Sequence, residues 1–230
     1  VSRAHDSIRV LIAQPKANVK MMGGYAGLLA GMTGKTHLMF DDISIMRAMA
    51  NMTVVAPVDE VETRSALAAI MEYDGPVYFR LNRPDTPIVF DDDYQFVLGK
   101  AVVVREGSDV TVFSTGTQTS RAFEAAEVLA LEGIDVHLVH VPTVKPLDVD
   151  TVVAAAKKTG LVVTSEEHTV VGGLGGAIAE ALAMNAPTPM VLHGLQDVFG
   201  ESGPDGPLLD KYGISAGKTA AAIKGAVENQ

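Results

Sequence analysis

His37 is the side chain here best suited to proton chemistry. It closes a Gly-rich stretch, Gly-Met-Thr-Gly-Lys-Thr (31–36), lying between a short apolar run and a helical pattern. A neutral imidazole so placed can hydrogen-bond a hydroxyl or carbonyl oxygen; the residues alone leave a structural role equally open. Arg83 follows the apolar run Val77 to Leu81. Its planar fork suits a phosphate or carboxylate, and the plainer reading is a solvated linker arginine. Glu166, Glu167 and His168 fall at the carboxyl end of a predicted strand, where sites of open α/β sheets gather.

Other motifs point to packing. Leu29 to Thr36 approaches a phosphate-binding loop, but Leu29 stands where the pattern needs glycine, and a side chain would obstruct the cradling amides. Val171-Gly-Gly-Leu-Gly-Gly176 opens a helix without the G-x-G-x-x-G spacing, which favours close packing of a helix end on a sheet. His137 and His140, three apart on a strand, face opposite sides and cannot share a metal. The sequence has no Cys/His cluster, H-E-x-x-H or G-x-S-x-G, so no protein-only metal site is expected.

The elements that must hold these residues alternate strand and helix. The 230 residues are 47% hydrophobic and 20% charged, with no Cys or Trp and only five Tyr and seven Phe; such a chain has a real core built by helix-on-sheet packing. Without cysteine there is no disulfide, thiolate metal site or Cys nucleophile. A net charge of -10 argues against nucleic acid as a partner. Two uncharged stretches, 21–34 and 181–196, are too short and too interrupted by Gly or Pro to span a bilayer. No signal peptide is read at the start, so no membrane association and a cytoplasmic location are expected.

Helices are predicted from Ala4 to Gln14, around Ile43 to Met49, and from a cap at Asp59, with Glu62 three residues on, to Glu72. Strands are predicted at 19–22, 52–55 and 77–81. A βαβ alternation of this kind implies a parallel sheet. Two prolines and three successive aspartates within Asn82 to Asp93, with little periodicity, mark residues 85–97 as a linker between domains at 1–84 and 98–230. Beyond it, strands are predicted at 97–104, 110–113, 136–141, 161–164 and 190–192. Helices are predicted at 117–132, with Ala122, Phe123, Ala126, Leu129 and Ala130 on one face, at 148–158 after an Asp148 cap, at 175–184, and from Ser215 to Val227. The fold class is thus α/β: an incomplete doubly wound domain, lacking strands ahead of Val1, followed by a complete second α/β domain.

An ordered set of phrases resembles the transketolase family. It comprises Ala-Gly-Leu (26–28) leading to Thr36-His37, Asp41-Asp-Ile-Ser-Ile-Met-Arg47, Asn51-Met-Thr-Val-Val-Ala-Pro57 and Asp74-Gly-Pro-Val-Tyr-Phe-Arg-Leu81. Ser114-Thr-Gly116, Pro146-Leu-Asp148, Ser165-Glu-Glu-His168 with Gly172-Gly-Leu-Gly175, Phe199-Gly-Glu-Ser-Gly203 and Lys211-Tyr-Gly213 follow. They resemble the pyrimidine-binding and C-terminal domains of transketolases, nearest to the small subunit of split bacterial enzymes. The resemblance implies two-carbon ketol transfer from a ketose to an aldehyde, with thiamine diphosphate stabilising the carbanion. It also implies a partner, the N-terminal diphosphate-binding subunit, holding Mg2+ (or Ca2+) in an α2β2-type heterotetramer.

By the same resemblance, His37 contacts substrate oxygens near the reacting carbon and Arg83 binds a substrate phosphate. Tyr25 stands where the family has a second histidine, Thr33 where it has an aspartate that recognises a donor hydroxyl, and Lys35 precedes Thr36. These departures imply a donor or acceptor other than an ordinary sugar phosphate, with an anionic group near Lys35. His5 lies near a family aromatic of the cofactor's ring cradle, and the family's activating glutamate lies upstream of Val1. Sugar or sugar-phosphate substrates are expected. The alternatives are a 2-oxo-acid dehydrogenase β-type or deoxyxylulose-phosphate-synthase-like subunit, and a non-catalytic assembly subunit.

Overall fold

A computed structural model describes residues 1–229; Gln230, the last residue of the expected second domain, lies outside them. The first unit opens with a helical stretch, Ser2–Ala4, α1 (His5–Ile8) and a π-helical turn Arg9–Ala13. Three strands follow, β1 (Lys20–Gly23), β2 (Thr53–Val55) and β3 (Val77–Arg80), with α2 (Asp42–Ala48) and α3 (Glu60–Glu72) between them. β1 and β2 both pair in parallel with β3. The buried positions of α3, Val61, Glu62, Ala66 and Ile70, recur at helical spacing. The cap is as expected, Asp59 accepting from Glu62 N at 2.8 Å.

The second unit has β4 (Val102–Arg105), β5 (Val110–Thr115), β6 (Val136–His140), β8 (Val162–Thr169) and β9 (Met190–Leu195), in the order β4-β6-β5-β8-β9. All pairs are parallel except β4 with β6. The helices α4 (Gln118–Leu131), α5 (Val149–Thr159), α6 (Leu174–Asn185) and α8 (Ala216–Glu228) cover both faces. One core gathers α4 and α8, the other α5 and α6. Asp148 and Ser215 cap α5 and α8, and Gly160 ends α5 in the left-handed region at φ 73°. No helix among the described residues is long and apolar enough to cross a membrane.

Several expectations need correction. The strand expected at 97–104 begins only at Val102; the residues before it are irregular. The buried face of α4 is Ala122, Ala125, Ala126 and Leu129, while Phe123 and Ala130 are exposed. A short strand not foreseen, β7 (Thr143–Lys145), leaves the second unit and pairs antiparallel with β2, extending the first sheet to β1-β3-β2-β7. Three residues carry too little periodicity to be read as a strand. β8 runs on to Thr169 because Glu166, Glu167 and His168 all find buried partners. A helix after the Gly-Ser-Pro turn region, α7 (Asp205–Lys211), was also unforeseen.

The segment between the sheets lies along α3. Asp59 Oδ2 accepts from the amides of Val89 and Phe90 at 2.7 and 3.1 Å, Tyr94 OH donates to Glu62, and Phe96 is buried. One carboxylate thus caps α3 and holds the crossing chain. Asp59→Ala should therefore cost more than an ordinary cap, about 2 kcal/mol or more, read from urea midpoints. A loss no larger than that of Ser215→Ala, the cap of α8, would show that the crossing segment is not held this way.

Candidate active site

The loop from Gly24 to Asp41 leaves the carboxyl end of β1 and returns to α2. Its first turn is tightly constrained. Tyr25 has a left-handed backbone, φ 62°, unusual for a residue with a side chain. Ala26 N donates to Leu81 O, and Gly27 N to Met39 O. Gly27 has φ 81°, and a Cβ there would overlap Glu167 Oε1. The Ala-Gly-Leu phrase is therefore glycine-dependent twice over, by conformation and by space.

The far limb is held by the second unit. Gly31 N donates to Asp205 Oδ1 at 3.0 Å, and Gly203 N to Gly31 O at 3.1 Å. A Cβ on Gly31 would overlap Leu208, and one on Gly34 would meet Ser202 Oγ at 2.5 Å. This gives Phe-Gly-Glu-Ser-Gly its physical sense: the segment is the mould against which the Gly-rich loop is cast.

Of the expected site residues, Tyr25 and Arg83 come together, the guanidinium carbon 5.8 Å from the ring centre, a cation–π distance. Arg83 lines a groove with Asn82, Thr86, Thr63 and Thr117. Thr33, Lys35 and His37 lie on the outer limb, Lys35 and His37 exposed. Thr33 Oγ1 donates to Ala30 O, and His37 Nδ1 lies 3.0 Å from Thr36 Oγ1. His5 is not brought to this group. It lines a furrow between α1 and the end of α2, with Arg9, Ala13, Ile45, Ala48 and Met49.

Beneath the loop lies a buried polar joint that sequence reading did not find. Arg80 Nε and Tyr78 OH both donate to Asp42 Oδ2 at 2.8 Å, and Arg80 Nη2 donates to Glu167 O at 2.9 Å. Burial pushes the Asp42 carboxyl up, but the Arg80 guanidinium holds it below its ordinary range. Glu167 Oε1 accepts from Leu28 N at 2.6 Å, and from Leu29 N and Asn82 Nδ2 at 3.3 Å each. Its Oε2 accepts from Thr117 Oγ1 at 3.1 Å and from Arg121. A second joint links Glu62 of α3 to His140 of β6 at 2.8 Å, with Thr119 on the other imidazole nitrogen. His137 points elsewhere, toward Glu106 and Lys158. The available signal was the run of polar residues ending β3, β6 and β8, positions that would be apolar in strands packed only for stability.

Glu166 accepts from the amides of Leu174 and Gly175, the first turn of α6, at 2.7 and 2.9 Å; burial pushes its carboxyl up to about 7. A Cβ on Gly173 would overlap Glu166 Oε2, so these glycines serve close packing. His168 Nδ1 lies 2.7 Å from Thr169 O, and Nε2 3.3 Å from Ser44 N. A carbonyl only accepts and a backbone N–H only donates, so the ring is neutral with its proton on Nδ1. Burial pulls its pKa down to about 4.

That depression has a sign. The unfolded chain binds the proton at about 6.5 and the folded one at about 4. Stability from His168 therefore grows as pH rises through this window and is lost on acidification. Glu166 acts in the opposite sense, its contribution fading as pH rises through about 7. His168→Asn should narrow the gap between urea midpoints at pH 7 and pH 5. An unchanged gap would show that His168 does not titrate across the joint.

Residues 1–88 match the pyrimidine binding domain of transketolase, and residues 99–218 match the transketolase C-terminal domain. The chain is 42% identical over 228 residues to 6-deoxy-6-sulfo-D-fructose transketolase subunit SqwH of Clostridium sp. (strain MSTE9), covering 99% of this chain and 71% of that one. It is 34% identical over 215 residues to an apulose-4-phosphate transketolase subunit of Phocaeicola vulgatus, covering 93% and 69%. Among solved structures, a split gene transketolase, described as an inactive beta4 tetramer, superposes with a TM-score of 0.92 at 43% identity, over 98% of this chain and 72% of that one. The resemblance read from the ordered phrases holds, and the chain belongs to the transketolase family as a relative of its split-enzyme subunits.

Proposed function

We propose that this chain is the substrate-side subunit of a two-component transketolase-type transferase. It would move a two-carbon ketol unit from a ketose to an aldehyde, in an α2β2-type assembly with a diphosphate-binding partner. The observation that carries the reading is the placement of Tyr25, Arg83 and the Thr33–His37 limb around one rigidly held loop at the carboxyl edge of the first sheet.

The donor set of this chain does not fit the metal-bound end of thiamine diphosphate. Among the described residues no group of three or more His, Cys, Asp or Glu could hold a metal ion. His5 stands in a furrow between two helices, away from Tyr25 and Arg83. We therefore assign the diphosphate and its Mg2+ or Ca2+ to the partner. When bound, the cofactor supplies carbanion stabilisation.

The chain's own residues bind and orient. Arg83 offers two parallel N–H donors to an anionic group, its plane steadied against Tyr25. The exposed His37 imidazole can donate to or accept from a substrate oxygen and shuttle its proton. Thr33 offers a neutral hydroxyl and Lys35 a cation on the same limb. The names of two relatives specify a sulfonated sugar and a sugar phosphate, which supports a substrate carrying a terminal anion.

In the complex with the partner, His37→Ala should lower kcat by about a hundredfold. Arg83→Met should act mainly on KM for an anionic donor. Full activity after His37→Ala would favour a non-catalytic assembly role instead. Separately, Thr33→Asp with Lys35→Pro should shift donor preference toward ordinary sugar phosphates; an unchanged preference across a donor panel would remove Thr33 and Lys35 from the recognition surface.

A further inference from the structure

We infer that Glu167 is a positioning residue for the substrate site, setting the geometry of Arg83 and the loop that begins at Tyr25 from within the other sheet. The inference rests on the reading of Arg83 as an anion-binding group. Glu167 is 1% exposed and comes from β8, in the second unit. Its Oε1 takes the amides of Leu28 and Leu29 and the side-chain amide of Asn82, the neighbour of Arg83. Asn82 Nδ2 also donates to Ala26 O at 3.1 Å. One oxygen therefore ties Ala26 to Leu29 and Asn82 into a single unit, with Tyr25 and Arg83 at its two ends.

Two features argue for positioning over simple stability. A buried ion pair replaced as a whole by apolar packing often costs no stability, so stability alone does not explain the Glu167–Arg121 pair, whereas fixing one register does. In addition, three of its five partners are obligate donors. Leu28 N, Leu29 N and Arg121 cannot accept, whereas the Asn82 amide and the Thr117 hydroxyl can. Two acceptor oxygens are thus required, and the loop's course follows from where they are. Gly27 records the same constraint, since any side chain there would displace the carboxylate.

The chain is tested as Glu167→Ala and Glu167→Gln, with Val152→Ala, a core change in α5, as a control for lost stability. Affinity for inorganic phosphate is measured by calorimetry, and kcat and KM are measured in the complex with the diphosphate-binding partner for the best donor of a panel of phosphorylated and sulfonated ketoses. The glutamine keeps one acceptor oxygen, which can face the Leu28 and Leu29 amides. Glu167→Ala should weaken phosphate binding by about tenfold and raise donor KM more than it lowers kcat. Glu167→Gln should recover part of both. Val152→Ala should change stability alone. Should Glu167→Ala fail to fold, an intermediate phosphate affinity in Glu167→Gln decides for the inference. Wild-type affinity in the folded Glu167 variants overturns it, as does a wild-type chain that binds no phosphate. Phosphate binding without donor turnover would sink the functional reading while leaving the positioning role standing.

Discussion

A carboxylate removed from water must be surrounded by donors or it will not stay charged. Glu167 meets that demand with donors from β3's exit, the Gly24–Asp41 loop and α4, and so it dictates where those three elements lie relative to one another. Arg80 answers the same demand from the other direction, its guanidinium shared between Asp42 and the Glu167 carbonyl. The two sheets are joined by directional bonds, which admit one register, where an apolar seam would tolerate sliding.

The second unit is therefore part of the site's construction even though the proposed substrate groups belong to the first. Its contributions are spread along the loop: Glu167 at the first turn, Asp205 and Leu208 at the 31–34 limb, His168 at the entry to α2. β7 adds a strand from the second unit to the first sheet. Glu62 and His140 fasten α3 to β6 beneath the crossing segment. A loop fixed at both ends can leave its polar tip exposed without becoming loose, which is what an approach by a substrate or its protein partner requires.

The changes on that tip are chemical rather than architectural. Thr33 and Lys35 alter charge and hydrogen bonding on a limb whose backbone is held by Gly31, Gly34 and the 202–208 segment. Side chains can vary there at little structural cost, because neither is used to hold the joint. On the proposed function, the buried network sets geometry and the polar tip recognition.

Most of the elements were legible in the amino-acid sequence. Caps at Asp59, Asp148 and Ser215, the stop at Gly160 and the apolar periods are local signals, read within a turn or two of chain. The order of phrases also sufficed for the family. Packing resolved what distance along the chain conceals. Glu167 lies 139 residues from Leu28 and Asp205 174 from Gly31, and no local pattern announces such pairs. Glu62 looked like half of a cap, yet its carboxylate accepts from Val58 N, Tyr94 and His140. β7 was too short to carry a period, and its place is set only by β2 beside it. Local rules choose helix or strand because their causes are local. Which buried charge meets which donor is a property of the packed chain, since only desolvation in the folded state makes the pairing obligatory.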